Sequence, residues 1–297
     1  MKAKQSNRIP ESEFIINPDG SAFHLHILPE DLADNILLFG DQDRVPMAAQ
    51  FLDKGSIEVD KSSREFHTIT GRFNGKRISI VSSGIGTDNI DIVMTELDAL
   101  ANIDFKTRTP KAEHRRLSIL RIGTCGALQP EIPLGGYIFS DMSVGFDGVL
   151  NWYADVDKVR QKGIEEAFIK YMEWPERLAK PYFVKASPKL IKAFEGKAYH
   201  GITMSAPGFY GPQGRKVRAA ITIPDLTTKL ENFSYRGKKM TNIEMESSAI
   251  AGLAAVLGHD AGTICLAIAN RHAKQSNPDY KPLMAELIKY CFETLTR

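Results

Sequence analysis

Cysteine is scarce in this chain: three residues in 297, Cys125, Cys265 and Cys291, an odd number at unrelated spacings. That argues against a disulfide framework and against a zinc site, both of which need cysteines in set patterns. Long apolar runs are missing too. None approaches the roughly 20 residues needed to cross a bilayer, and residues 1–8 lead into no apolar stretch of a secretory leader. The expectation is a soluble, cytoplasmic protein with no membrane partner. Charge of one sign is also lacking: 38 basic against 36 acidic residues leave a net +2, too little to imply nucleic acid as a partner. Repeats, low-complexity tracts and Pro-, Gly- or Ser-rich linkers are absent. The 297 residues, 43% of them hydrophobic, are therefore expected to form one domain, 1–297.

What the chain does have is a succession of short β-rich runs, at residues 36–39, 77–81, 117–122, 137–139, 201–204 and 264–268. Between several of them the apolar period becomes helical, as in Ile90, Val93, Met94, Leu97 and Leu100. The alternation predicts an α/β protein with helices on the faces of a sheet. A helix from about Thr87 has Asp88 or Asn89 available as its cap. A second, over residues 244–257, ends at Gly258, and a third closes the chain with Leu283, Leu287, Ile288, Cys291 and Leu295 on one face. Residues 106–116, the only basic cluster, are read as a solvated excursion between a helix and a strand. Three of the runs end in glycine-bearing segments read as turns, Gly40-Asp41, Ser83-Gly-Ile-Gly86 and Gly123-Thr-Cys-Gly126. Ligands of open α/β sheets gather beyond the carboxyl ends of strands, so the chemistry is expected at these turns.

The densest signal is Glu244-Met245-Glu246, two carboxylates at i and i+2 just ahead of an apolar run. Carboxylates so spaced do not share a helix face, so one is free to meet a ligand while the other braces the turn. The plainer explanation, an acidic first helical turn favoured by the macrodipole, suffices for the segment alone. Arg44 and Arg64 read most simply as surface residues, but Arg121 falls inside an apolar strand, where a guanidinium is costly unless several acceptors meet it. A bound phosphate would supply those acceptors, with Thr124 adding a neutral donor. A dinucleotide-binding turn at Gly84-Ile-Gly86 competes, but Asn89 stands where the third glycine belongs. Gln213 and Arg215 share the segment 208–214 and its end with Phe209, a stretch that otherwise looks like a glycine-rich surface turn. In an extended loop both side chains would aim the same way. Together with Arg121 and the carboxylates they describe a pocket for a hydroxylated sugar, an anion and a flat polar ring, on which Phe209 can stack.

These residues resemble the nucleoside phosphorylase superfamily and, within it, the uridine phosphorylase branch. The blocks that carry the resemblance are residues 38–45, Arg64-Glu65-Phe66, residues 83–86 and 120–130, Phe209-Tyr-Gly-Pro-Gln-Gly-Arg215 and Glu244-Met245-Glu246. The resemblance implies a single α/β domain with a central mixed sheet, partly barrel-like, flanked by helices. It implies reversible phosphorolysis of uridine, with inorganic phosphate as co-substrate and no cofactor. Phosphate would be held by Gly40, Arg44, Arg121 and Thr124, joined by Arg64 of a neighbouring subunit. Ribose would meet Met245 and Glu246, with His24 reaching over from the neighbour, and the base would meet Phe209, Gln213 and Arg215. Arg121, Glu246, Gln213 and Arg215 would carry the catalysis. The active unit would then be a homo-oligomer, a dimer or a hexamer built from dimers.

Purine-specific relatives place an aspartate near the equivalent of Asn270, so Ala269-Asn270-Arg271 favours a pyrimidine. Departures from the family pattern are the loss of both prolines around Gly40-Asp41, Thr87-Asp88 after Gly86, and residues 106–116, which look inserted. No metal site is assigned; a monovalent cation near Glu65 follows the pattern of some relatives, though Asn89 replaces the serine expected with it. The alternatives are a purine nucleoside phosphorylase, a nucleosidase using water, and a nucleoside-binding protein without turnover.

Overall fold

The computed structural model describes residues 7–296. The first half of the chain forms β1 (Asn35–Phe39), α1 (Arg44–Ala49), β2 (Val59–Ser63), β3 (Phe66–Phe73), β4 (Lys76–Ser82), α2 (Thr87–Asn102), β5 (Ile103–Asp104), β6 (Thr109–Pro110), β7 (Ser118–Ala127) and β8 (Tyr137–Gly145). The second half adds α3 (Val156–Val159), α4 (Lys162–Met172), β9 (Tyr182–Lys185), α5 (Pro188–Ala193), β10 (Tyr199–Ser205), α6 (Leu226–Asn232) and β11 (Ser234–Tyr235). It ends with β12 (Lys238–Glu244), α7 (Ser247–Leu257), β13 (Asp260–Asn270), β14 (Gln275–Ser276) and α8 (Lys281–Leu295).

Twelve strands make one mixed sheet in the order β11-β12-β10-β8-β13-β7-β1-β4-β3-β2, with β9 attached to β8 and β14 to β13. β12 also pairs antiparallel with β7, Asn242 opposite Ala127 and Ile243 opposite Gly126. That pairing closes β7, β13, β8, β10 and β12 into a ring, while β1, β4, β3 and β2 continue from β7 as an open wing. The sheet is thus the expected mixed, partly barrel-like one.

The two-residue period of the strands divides the core between its faces. Ile36 and Leu38 of β1 and Ile119 of β7 pack with α2 and α7. Leu37, Phe39, Leu120 and Ile122, the intervening positions, pack with α1, α5 and α8. A further cluster under α4 and α6 holds Phe168, Ile202, Met204 and Leu230. In α8, Leu287, Ile288 and Cys291 are fully buried and Leu283 and Leu295 partly so, as their spacing predicts. All three cysteines are free and buried. None of the described helices is long and apolar enough to cross a membrane.

Four expectations are corrected. Gly123-Thr-Cys-Gly126 is strand, not turn: β7 stays in register with β13 as Gly123 pairs Cys265, Thr124 pairs Leu266 and Cys125 pairs Ala267. Its glycines make room for side chains. A Cβ at Gly123 would stand 2.3 Å from Arg121 Nη1, and one at Gly126 would stand 3.2 Å from Arg271 Cγ. The α2 cap is Gly86, with φ of 100°, so Asp88 and Asn89 lie inside the first turn. Glu244 ends a strand, and α7 begins only at Ser247 with Glu246 at its N-cap, because residues up to 244 pair with β10. Finally, residues 106–116 do connect a helix to a strand but are not simply solvated. Arg108, 8% exposed, donates to the carbonyls of Ile9, Pro10 and Phe14, and Arg115 Nε donates to Asp34 at 2.6 Å. The cluster fastens the N-terminal segment to the body.

Candidate active site

A cleft of about 1340 Å³ opens beyond the strand ends. Gly40 and Arg44 follow β1, Gly84 and Ile85 follow β4, Ile268 to Asn270 finish β13, and Arg271 comes directly after it. Arg121 and Thr124 enter from within β7, Met245 and Glu246 from the β12–α7 junction, and Phe209, Gln213 and Arg215 from the segment after β10. The sheet's strand ends therefore bring together most of the residues singled out from the sequence, although the strands are far apart in the chain.

The two carboxylates divide their work. Glu244 accepts the backbone N–H of Glu246 at 2.9 Å and of Ser247 at 3.0 and 3.1 Å, and the Ser247 hydroxyl at 2.6 Å, so it satisfies the open start of α7. Glu246 Oε1 accepts the Gly86 N–H at 2.9 Å, tying the start of α2 to the start of α7. Both pair with Arg121, whose Nη1 stands 2.9 Å from Glu244 Oε2 in an ion pair and whose Nη2 donates to Glu246 Oε2. All three are buried, at 5%, 4% and 3% exposure for Arg121, Glu244 and Glu246.

This corrects the premise about Arg121: the acceptors that make its burial tolerable are two carboxylates of the chain itself. Its Nε is buried without a partner. Burial alone would lower the Arg121 pKa, but Glu246 and Glu244 outweigh it and hold the guanidinium charged. Burial pushes the Glu246 carboxyl above its ordinary range, opposed by Arg121 and reinforced by Glu244. The two shifts pull in different directions for one ion pair. The charge count accounts for this: two carboxylates share one cation out of water, so one of them ionises less readily.

A second network lies on the segment after β10. Residues 211–213 form a 3₁₀ turn and Gly214 follows with φ of 72°, so Gln213 and Arg215 converge through a tight turn rather than along an extended loop. Arg215 Nη1 donates to the Gln213 side-chain carbonyl and, at 2.7 Å, to the Phe209 carbonyl. Its guanidinium lies 4.0 Å from the Phe209 ring centre, a cation–π stack on a ring that is 51% exposed. Burial, with the charge of Arg271 adding to it, lowers the Arg215 pKa to about 10.

Sequence reasoning quoted Arg271 without giving it a role. It donates to the Gln213 main-chain carbonyl at 3.2 Å and to Thr227 Oγ1 at 3.3 Å, and its Nη1 is buried without a partner. The available signal was its place directly after the long strand β13. Asn270 is committed elsewhere: its amide donates to the Ile132 carbonyl at 2.9 Å and accepts the Ala273 N–H at 2.8 Å. Arg44, on the β1 side, reaches Tyr280, a second cleft residue overlooked in the sequence, at 3.4 Å from its hydroxyl.

Two of the singled-out residues do not line the cleft of their own chain, His24 and Arg64. They stand together elsewhere, His24 at 4.8 Å ring to ring from Phe23 and Arg64 at 5.6 Å over the same Phe23 ring. Glu65 does line the cleft. Among the described residues the one group of three side chains spaced for a metal is Asp98, His114 and His259, and it lies outside the cleft. Its bonding suits a hydrogen-bond network. His259 Nδ1 accepts the Leu117 N–H at 3.2 Å, which leaves Nε2 to carry the proton it donates to Asp98 at 3.1 Å.

Comparison with known proteins gives the family. The family model described as phosphorylase superfamily matches residues 35–291, and the chain belongs to that superfamily. It is 30% identical over 262 residues to a uridine phosphorylase of Thermococcus kodakarensis, covering 85% of this chain and 79% of the relative. It is 28% identical over 251 residues to a DeoD-type purine nucleoside phosphorylase of Psychromonas ingrahamii, covering 84% and 86%. The fold matches a crystal structure of a Trypanosoma brucei nucleoside phosphorylase, described as showing uridine phosphorylase activity. The TM-score is 0.86 at 28% identity, over 95% of this chain and 99% of that one.

Proposed function

We propose that this cleft performs the reversible phosphorolysis of uridine, giving uracil and α-D-ribose 1-phosphate. The observation that carries the reading is the convergence of Phe209, Gln213, Arg215 and Arg271 in the cleft that also holds Glu246 and Arg121. One group suits a flat ring with carbonyls on its edge, the other a sugar and an anion. Relatives named for uridine phosphorylase support it.

Breaking the N-glycosidic bond builds positive charge on the ribose and negative charge on the base. Phosphate below the anomeric carbon stabilises the first; Arg215, Gln213 and Arg271 stabilise the second. No nucleophilic side chain takes part, since phosphate itself attacks and the protein positions and polarises. Gly40, Arg44 and Thr124 hold the phosphate, and Arg121 turns its unpartnered Nε and one arm toward it. Glu246 exchanges Arg121 for the ribose 2′- and 3′-hydroxyls against Met245, while Glu244 keeps the junction in place. His24 and Arg64, outside their own cleft, serve the cleft of a second copy, so the active unit is a homodimer or a hexamer of such dimers. A cytoplasmic place in pyrimidine salvage follows from the substrate and co-substrate.

The purine reading has one observation in its favour, relatives named for purine nucleosides at similar identity. Against it, the Asn270 amide is spent on main-chain groups and leaves no acid for a purine ring. The test is uracil release from uridine with and without phosphate, with inosine in parallel. Phosphate-dependent uracil with little hypoxanthine supports the proposal; hypoxanthine release in excess of uracil overturns it.

A further inference from the structure

Glu96 is a carboxylate on α2 that is 5% exposed and stands outside the cleft. A buried carboxylate is costly unless donors surround it, and here the donors all come from residues 24 and 25. The His24 N–H lies 3.0 and 3.1 Å from its two oxygens, the Leu25 N–H donates to Oε2 at 2.9 Å, and His24 Nδ1 stands 2.6 Å from Oε1. A carboxylate only accepts, so Nδ1 carries the proton and Nε2 is the free acceptor of the neutral ring. The ring is also flanked edge-on by Phe23 at 4.8 Å and Phe66 at 6.2 Å, yet keeps 26% of its side chain exposed. Backbone, ring plane and tautomer are thus all set by one side chain.

We propose that Glu96 is a positioning residue. It fixes the His24 imidazole with Nδ1–H inward and Nε2 outward, as the acceptor for the 5′-hydroxyl of a nucleoside in the cleft of a second copy. This rests on the reading of His24 given above. Glu96 lies on α2, whose N-cap Gly86 binds Glu246 through its N–H, so one capped helix ties the group serving the neighbouring cleft to the sugar carboxylate of its own. At 1.5 Å per residue the two lie roughly 15 Å apart along the helix.

The test compares kcat/KM for uridine and 5′-deoxyuridine in the full-length protein, in Glu96→Gln, His24→Ala and the double variant. A glutamine keeps one accepting oxygen; serving the two main-chain N–H groups with it turns the NH2 to Nδ1, which releases the ring or moves its proton to Nε2. In Glu96→Gln the preference for uridine is expected to fall about fivefold, the worth of one neutral hydrogen bond, mostly through KM. The double variant should fall no further than His24→Ala. Equal losses on both substrates would reduce Glu96 to a structural tie and overturn the proposal, as would an unchanged preference beside a loss in His24→Ala. An unchanged preference in His24→Ala itself would instead overturn the assignment of His24, and the proposal with it. Nitrogen NMR of labelled histidine in the unaltered protein gives a reading that does not depend on a variant folding. An Nδ1–H tautomer at His24 is expected, and an Nε2–H tautomer would contradict the role.

Discussion

The Arg121 cluster and the Arg215 network each centre on an arginine at one end of the same cleft, yet they are built in opposite ways. Arg121 stands on a central strand, buried, with two carboxylates against its single charge. Arg215 stands on an irregular segment, half-buried, with a second guanidinium beside it and a carbonyl as its side-chain partner. The first meets its charge within the chain, leaves only the Arg121 Nε unpartnered, and keeps its capacity in an exchange of partners. The second is incomplete, and burial together with Arg271 makes its charge less comfortable until something electron-rich arrives. That contrast fits the proposed roles: a sugar and phosphate that must be placed accurately, and a base that needs help only as charge develops on it.

The sharpest way to break the contrast is Glu244→Ala. It strips the start of α7 and leaves the Arg121–Glu246 pair without its brace, so a loss of about 3–5 kcal/mol in unfolding free energy is expected in urea titration. Arg215→Ala should do the reverse. Loss of a donor aimed at developing charge costs about 2.7–4 kcal/mol, so kcat/KM for uridine is expected to drop roughly 10²-fold or more while urea stability moves by less than about 0.5 kcal/mol. A stability loss as large as that of Glu244→Ala would erase the distinction.

Arg271→Met sharpens it further by removing the like charge and the unpartnered Nη1. Uridine kcat/KM should fall at least about tenfold, as for a hydrogen bond from a charged donor, with unchanged or slightly higher melting temperature. Gly123→Ala probes the packing behind the first region. Its Cβ would stand 2.3 Å from Arg121 Nη1, so a cost of about 1–3 kcal/mol and a raised KM for phosphate are expected.

The smallest effect is a control remote from both. His200 is held above its ordinary value of 6.5 mainly by its hydrogen bond to Asp141, at 2.7 Å. A raised folded pKa means the pair's stabilisation is fully present below 6.5 and fades as pH rises through the higher folded value. His200→Asn should therefore cost less than about 1 kcal/mol at low pH and nothing measurable in alkali, the group being partly exposed.

Much of the sheet was legible because β1, β4 and the start of β7 are apolar runs, and α2 and α8 keep a helical period. β3 and β12 were not, since Phe66–Phe73 and Lys238–Glu244 mix polar and apolar residues and owe their strand form to neighbours on both sides. The glycines at 123 and 126 read as a turn because a sequence does not reveal that two arginine side chains need the space. At the site, residue types and blocks pointed to Arg121, Glu246, Gln213 and Arg215, all of which line the cleft. Which acceptors Arg121 meets, that Arg271 and Tyr280 join the cleft, and that His24 and Arg64 leave it are properties of the folded arrangement.

The most direct measurement is phosphorus NMR of the reaction mixture with uridine and inorganic phosphate, alongside chromatography of the base. Ribose 1-phosphate should appear in step with uracil, one for one, and the reaction should run backward when both are supplied. Uracil with free ribose and an unchanged phosphate signal would make the protein a hydrolase, and the account of an anion held by Arg44, Arg121 and Thr124 would fall.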